Sequence, residues 1–529
     1  MKLAYHLSIA ALLFGSISCS DFLDRSPYNS ISSSDFYQTE EDFQQAINAA
    51  YAPLTVLYKE SQWMFGEMRS DNTTYIYHIS IKSGLEREDI EQLTETSTNT
   101  HVSTKYSNFY VLIGRVNQIL ASIDNVTEIS TEEKNRIKGE ALFLRAFSYF
   151  DLVQYFGGVP LHTEPSTYYE ESFKSRASVE EVYAQIEKDA LEAISLLPTR
   201  SKQELGRATK GSAQTLLGNV YMVLKRWADA EKVLKEVVNS GEYELQANYA
   251  SLFETTNKNN KESIFEIQYM QDATKGQENR FAYNFLPFMV NPSAATGASP
   301  NPCTSNTNEG GYNTPSPDLI AAYEEGDKRR DASIGIIEGT LNANYALEFE
   351  GLKSIEGYQK PDGITAYPYI KKFVTPHTNA YYGDDNWPVY RYAEVLLFLA
   401  EAVNEQNRPD EAIKYLNNVY GQASIRGRAG LAPIASQSVD ALRKVIAHER
   451  QIELAFESKR WLDLVRTGKV EEVLNEQFKN IRNNPKAYYW EGNTSPLDSY
   501  YNFNKDKILL PIPMRELDLN NTLVQNPGY

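Results

Sequence analysis

Leu217-Gly218-Asn219-Val220-Tyr221, followed by Ala230, Leu234 and Val237, sets small and large apolar residues at the offsets of a helix–turn–helix repeat of roughly 34 residues. The small residues let two helices approach closely, and the large ones fill the space between them. Leu399-Ala400, with Val403, Ala412, Leu416 and Val419, occupies the same offsets further along. Gln214 and Leu396 stand where the repeat template carries Trp. Such repeats bury a continuous core only when about three or more stack, so further helix pairs are expected.

Helix signals on the N-terminal side supply them. Thr39 can cap a helix carrying Phe43, Ile47, Tyr51 and Leu54 at helical spacing. Ser130 and Glu133 have capping-box spacing ahead of Ile137, Ala141, Leu144, Phe147 and Leu152, and Gly157-Gly158-Val159-Pro160 ends that helix. Ser178 and Glu181 repeat the box before Val182, Ile186, Ala190, Ala193 and Leu197, with Pro198 as the stop. The three- and four-residue spacing predicts amphipathic helices with one buried face. Four helix pairs are predicted, near 40–60, 130–197, 210–240 and 392–460.

Residues 245–390 have another texture, rich in Asn, Gly, Pro, Ser and Tyr. Ser263-Ile264-Phe265-Glu266-Ile267 alternates as a strand does, and Ser293 to Thr314 is nearly all small or turn-forming. A second irregular stretch runs from Asn483 to Asn504. Long loops inside a large protein are usually functional.

The beginning of the chain, MKLAYHLSIAALLFGSISCS, has Lys2, an apolar stretch from Leu7 to Phe14 and then small residues up to Cys19. This is the pattern of a secretory signal peptide, residues 1–18, too short for a permanent span. Ser16-Ile17-Ser18-Cys19 resembles a bacterial lipobox, which makes Cys19 the lipidated first residue of a mature body running 19–529. Acyl chains hold a protein to a membrane by about 0.8 kcal/mol per buried CH₂. No later segment offers ~18 consecutive apolar residues. Ser20-Asp21-Phe22-Leu23-Asp24 places two acids just past the Cys, and Ser26 to Ser34 reads as a tether. Only Cys303 remains as a second cysteine.

The chain has 529 residues, a formal charge of −18 and a pI near 5.0, with no basic run. Binding to a phosphate backbone needs clustered Lys and Arg, so nucleic acid is excluded as the expected partner. The 36 Tyr suit a surface that recognises neutral polar ligands through ring faces and hydroxyls.

Several motifs together resemble the SusD/RagB family of outer-membrane nutrient-binding lipoproteins. They are the stretch from Gly139 to Leu161 (GEALFLRAFSYFDLVQYFGGVPL), Gly206-Arg-Ala-Thr-Lys-Gly211, and Arg391 to Ala402 (RYAEVLLFLAEA). Glu449-Arg450, Glu453, Glu457, Arg460-Trp461, Asp463-Leu464 and Arg466 continue the set, and Leu510 to Asp518 with Gln525 to Tyr529 completes it. The resemblance implies a mainly α fold with about four tetratricopeptide-like helix pairs. These form a scaffold over about 35–240 and 390–480, with a large irregular ligand-binding region, about 245–390 and 483–529, packed on it. It also implies a non-catalytic surface protein that captures oligosaccharides and sits as a lid on a SusC-type TonB-dependent transporter.

Chemistry is sparse. His448-Glu449-Arg450-Gln451-Ile452 begins like a zinc-protease motif and lacks the second His, and no nucleophile elbow or P-loop occurs. No cofactor is called for. Asp384-Asp385-Asn386 is oxygen-rich without a full Ca²⁺ ligand set. Spacings of four and three put Glu453, Glu457 and Arg460 on one helix face, suited to ion pairs. A scaffold that binds only proteins and a surface glycosidase are the alternative readings. Tyr-rich loops favour capture over the first, and the missing motifs disfavour the second.

Sugar binding calls for an aromatic platform beside amide, carboxylate or guanidinium groups. One candidate cluster is Arg69, Asp71, Asn72, Tyr75 and Tyr77, where a helical pattern gives way to a polar loop. The other is Tyr283, Phe285 and Phe288, beside the turn-rich stretch ending near Tyr312. Trp387, just ahead of a repeat helix, and Trp490, which could pin the last loop, are left out of both.

Overall fold

A computed structural model of the chain describes residues 36–77, 85–166, 168–271, 274, 276–302, 309–417, 423–491, 495–497 and 499–529. The signal segment, Cys19, Cys303 and Val419 lie outside the described residues.

The helical array is α1 (Glu40–Leu57), α2 (Thr100–Ser122), α3 (Thr131–Phe156), α4 (Val179–Leu196), α5 (Lys210–Val223), α6 (Trp227–Asn239), α7 (Tyr392–Glu405) and α8 (Pro409–Asn417). Consecutive helices pair in antiparallel succession, and each pair packs on the next: α2 on α3, α4 on α5, α6 on α7. Caps set the starts. Thr39 Oγ1 accepts from Asp42 N–H at 3.2 Å, and the Asp42 carboxylate accepts from Thr39 N–H at 2.9 Å. Ser178 and Glu181 close the same reciprocal box at 3.1 and 2.8 Å. At Ser130 only half of it forms, because the Glu133 carboxylate turns to Arg136.

The close approach predicted from Gly218 is present in the α5–α6 pair. A Cβ on Gly218 would lie 2.4 Å from Leu234 Cδ2. Two expectations change. The first pair is not confined to 40–60: the partner of α1 is α2, reached after more than forty residues. And α3 is not one-faced; from Gly139 to Phe156 only Gln154 escapes full burial, so this helix is the central post of the core.

Among the described residues there are seven short strands, β1 (Thr73–Thr74) between α1 and α2, and between α6 and α7 β2 (Ser263–Ile267), β3 (Thr314–Pro315), β4 (Ile334–Leu341), β5 (Leu347–Ser354), β6 (Thr365–Ile370) and β7 (Trp387–Arg391). β4 is the centre of an antiparallel sheet ordered β5-β4-β6. β2 pairs antiparallel with β7, and β1 with β3. All five residues of β2 are buried, so its alternation does not mark a wet face. A small second core of Ile76, Leu286, Met289, Ile337, Leu347, Tyr367 and Tyr369 holds the β-rich region together.

After α8 come α9 (Val439–Glu453), α10 (Arg460–Thr467) and α11 (Val470–Asn483). Glu453, Glu457 and Arg460 are therefore not on one helix. α9 ends at Glu453, and the chain turns through Phe456 and Ser458 at φ of 69° and 61° before α10 begins. Gly66 permits this turn: a Cβ there would sit 2.4 Å from Ser458 Cβ and 2.5 Å from its Cα. Among the described residues no helix is long and apolar enough to cross a membrane.

Candidate functional site

Beyond Leu57, α1 runs into two wide turns, Tyr58–Gln62 and Met64–Met68, which deliver residues 69–77 to the loop-rich side. Most of the first predicted cluster is spent on anchoring this segment. Arg69 is fully buried, ion-paired to Glu95 at 2.9 Å, with its guanidinium 4.7 Å above the Trp461 ring. Asp71 takes both nitrogens of the Arg460 fork at 2.7 and 2.9 Å. Asn72 donates to Glu67 and accepts from Gln451 at 3.0 Å. Tyr75 stacks on Tyr312 with centroids 5.3 Å apart and planes 12° from parallel.

The second cluster is internal as well. Phe285 meets Trp63 edge-on at 5.3 Å, Phe288 is buried, and Tyr283 donates or accepts at His377 Nε2 over 2.7 Å. The structure thus corrects the placement of Arg69, Asp71, Asn72, Tyr75, Tyr283, Phe285 and Phe288. Their polar groups face protein and their rings lie in cores, because a chain turning this sharply must cover its own apolar and polar surface. Tyr77 alone of the eight keeps partial exposure.

Tyr77 stacks on Trp490 at 4.0 Å and 19°. Its N–H donates to Tyr489 O at 3.1 Å, and its carbonyl accepts from Glu491 N–H at 3.2 Å. The last loop is therefore zipped onto residue 77, and Trp490 is the pin. Tyr367 donates to Glu491 at 2.6 Å and meets Tyr489 edge-on. In the second cluster, Tyr283 packs 4.5 Å from half-exposed Tyr381, over which the guanidinium of Arg280 lies at 5.7 Å. Asn301 and Asn379 join amides at 2.6 Å beside it. Distant segments thus gather two groupings, Tyr77, Trp490, Tyr367 and Glu491 in one and Tyr283, Tyr381, Arg280 and the Asn301–Asn379 amides in the other. Tyr381, Arg280, Tyr367 and Glu491 were not singled out from sequence; a Tyr-Tyr pair in a Gly/Asp/Asn turn, Tyr381-Tyr382-Gly383-Asp384, was the available signal.

The buried acids of this region are shifted. Burial pushes Glu67 up to about 7 against its bonds from Asn72 and Ser458. Glu91 also rises to about 7, through burial, with Thr74 and Tyr501 opposing. Burial lowers the His377 ring. Asp385, bonded to Thr375, rises to about 6 because it is buried, and Asp384 pairs with Lys258 at 2.7 Å, so Asp384-Asp385-Asn386 is committed to protein partners.

A buried charge junction ties this region to the scaffold. Arg391 on β7 bonds Glu262, Glu453 and Glu457; Arg329 bonds Asp327, Glu449 and Glu453; Lys372 bonds Glu457 at 2.8 Å. Glu324, His448 and Glu449 could offer oxygens and a nitrogen to a metal, but Arg426 lies between the two carboxylates and His448 Nε2 contacts Ala322 O at 2.7 Å.

Comparison with known proteins places this architecture. The profile described as the SusD family matches residues 261–529, and one described as starch-binding associating with outer membrane matches 21–222. The chain belongs to the SusD family. Among curated relatives, SusD-like protein P38 of Formosa agariphila is 28% identical, with 100% of each chain covered. A solved laminarin binding SusD-like protein is 28% identical, with a TM-score of 0.69, over 93% of this chain and 100% of its own. Surface glycan-binding protein A from Bacteroides uniformis is 25% identical, with a TM-score of 0.70, over 92% and 99%. As a SusD family member the chain has the mainly helical, tetratricopeptide-like scaffold read from its repeats.

Proposed function

We propose that this chain is an outer-membrane lipoprotein facing the cell exterior, acylated at Cys19 after removal of residues 1–18. It binds an oligosaccharide and delivers it, uncleaved, to a SusC-type TonB-dependent transporter. The observation that carries the reading is the full-length likeness to a SusD-like protein that binds laminarin, at 28% identity. The loop-rich region supports it chemically. Tyr77 and Tyr381 offer partly exposed rings, the first with Glu491 beside it and the second with Arg280 and the Asn301–Asn379 amides. That combination fits the C–H faces and hydroxyls of a sugar.

The test is a panel of oligosaccharides titrated against the protein, with reducing ends counted after long incubation. Binding without new ends is expected. Steady product release would make the chain a glycosidase, and no binding to any glycan would favour a scaffold for proteins. Gentle detergent extraction should recover the transporter with it, and a Cys19→Ala form should lose acyl labelling and membrane retention.

A further inference from the structure

We propose that the ligand of this site carries negative charge: a glycan bearing carboxylate or sulfate groups, read by Arg280 and Arg87. The inference rests on the glycan reading above and narrows it.

The argument begins with where the other arginines go. In a chain of net charge −18, carboxylates are abundant, and arginine is readily consumed by them. Among the described residues nearly every arginine donates to a carboxylate or to another oxygen of the protein. Arg136, Arg145, Arg207, Arg226 and Arg443 pair with acids at the surface or in the scaffold. Arg115, Arg176, Arg200 and Arg482 donate to backbone carbonyls. Among the described residues three arginines bind no such oxygen: Arg87, Arg280 and Arg515. Arg515 is exposed on the short helix Met514–Leu519. The other two each lie over a tyrosine of the loop-rich region.

Arg280 is exposed and its guanidinium is 5.7 Å from the Tyr381 ring centre. Arg87 is half-buried, 4.6 Å above Tyr312, with Nε enclosed and unpartnered. These rings belong to one assembly. Tyr312 N–H donates to Asn284 O at 3.1 Å, and Asn284 sits in the short helix Phe281–Phe285 that starts at Arg280 and carries Tyr283 against Tyr381. Stacking on a ring fixes the plane of a guanidinium while leaving its edge nitrogens to donate outward.

The acids beside Arg280 do not neutralise it. Glu278 is paired to Lys59 at 3.0 Å, Asp384 to Lys258 at 2.7 Å, and buried Asp385 accepts from Thr375. The exposed Arg280 guanidinium beside the partly exposed Tyr381 ring, with the half-buried Arg87 over the buried Tyr312 ring, offers N–H donors of the kind that carboxylate and sulfate oxygens accept in bidentate fashion. A neutral sugar can accept the same N–H groups, but an anionic one gains the stronger charge-assisted bonds. Tyr381 is held at φ 68°, a left-handed conformation rare for a bulky residue, which is consistent with a ring fixed for contact.

The experiment titrates the full chain with three probes of matched length: oligogalacturonate, a sulfated galactan oligosaccharide and neutral laminarioligosaccharide. The wild type and the Arg280→Gln, Arg280→Lys and Arg87→Gln forms are compared, with folding checked by circular dichroism. The expected result is preference for one of the acidic probes, weakened about tenfold by Arg280→Gln, the scale of one charged hydrogen bond. Arg280→Lys should recover part of it, and added salt should erode the preference. Which acidic probe binds separates carboxylate from sulfate. Equal or better binding of the neutral probe, unaltered by either Gln variant, overturns this inference and leaves glycan capture standing. Failure of all three probes, with a broader neutral panel also silent, overturns both.

Discussion

Replacing Glu453 by Gln should cost about 3–5 kcal/mol, because this carboxylate is the node between scaffold and binding region. It has no exposed surface, and its oxygens accept from Arg391 at 3.1 Å, from Arg329 at 3.2 Å and from Arg428. Burial alone would raise its pKa, but the Arg428, Arg391 and Arg329 guanidiniums outweigh that and hold it at about 2 instead of 4.5. At about 1.4 kcal/mol per tenfold, this depression corresponds to about 3 kcal/mol. Removing one partner of a buried ion pair costs about 3–5 kcal/mol in its own right, since the remaining charges lose compensation. A glutamine would also turn an amide N–H₂ toward a guanidinium, donor against donor. The assay is urea unfolding followed by tryptophan fluorescence, well suited because Trp63, Trp387, Trp461 and Trp490 are all fully buried. The folded pKa is lowered, so the contribution is complete above the unfolded value near 4.5 and is lost as pH falls toward 2. The gap between wild type and Glu453→Gln should therefore be full at pH 7 and shrink at pH 3. A loss under about 1 kcal/mol at pH 7, or a gap that does not narrow in acid, would refute the reasoning.

Three further outcomes follow from single side chains. Tyr77→Ala should weaken sugar binding by roughly 1–3 kcal/mol, the scale of ring stacking on a planar ligand, while the lost stack on Trp490 lowers the urea midpoint modestly. Tyr75→Ala, two residues away and 4% exposed, should instead lower stability by about 3–5 kcal/mol, as buried aromatic truncations do; calorimetry and denaturation on the pair separate the roles. Glu67 has a folded pKa raised to about 7 by burial, so the wild type should lose about 3 kcal/mol relative to Glu67→Gln as pH rises from 4.5 to 8. Parallel stability curves for the two across that range would count against it.

Much of the scaffold is legible because helices declare themselves locally. Caps at Thr39, Ser130 and Ser178, and stops at Gly157 and Pro198, act over a few residues, and Gly218 facing Leu234 is a packing event within one pair. The misread parts depend on distant segments. α2 carries Val102, Tyr106, Phe109, Leu112, Ile113, Val116 and Ile119 at helical spacing, yet its role as partner of α1 is set across more than forty residues. β4 and β5 were passed over because short strands carry a weaker signal than helices, and the register between them is a long-range property.

The binding face divides in the same way. Sequence alone carried the repeat scaffold and the resemblance to the family, and it offered residues 69–77 and 283–288 as ligand contacts. It did not determine which of their rings meet solvent. Tyr75 and Tyr77 are both tyrosines in a polar loop, and their two-residue spacing would put them on one face of an extended backbone, so spacing does not separate them. Tyr75 turns inward to Tyr312, while Tyr77 turns to Trp490 at the edge. Exposure is decided by what arrives from elsewhere in the chain, here 309–315 on one side and 488–491 on the other. Composition and periodicity record how a segment folds against itself, and only the packed tertiary structure records what covers it.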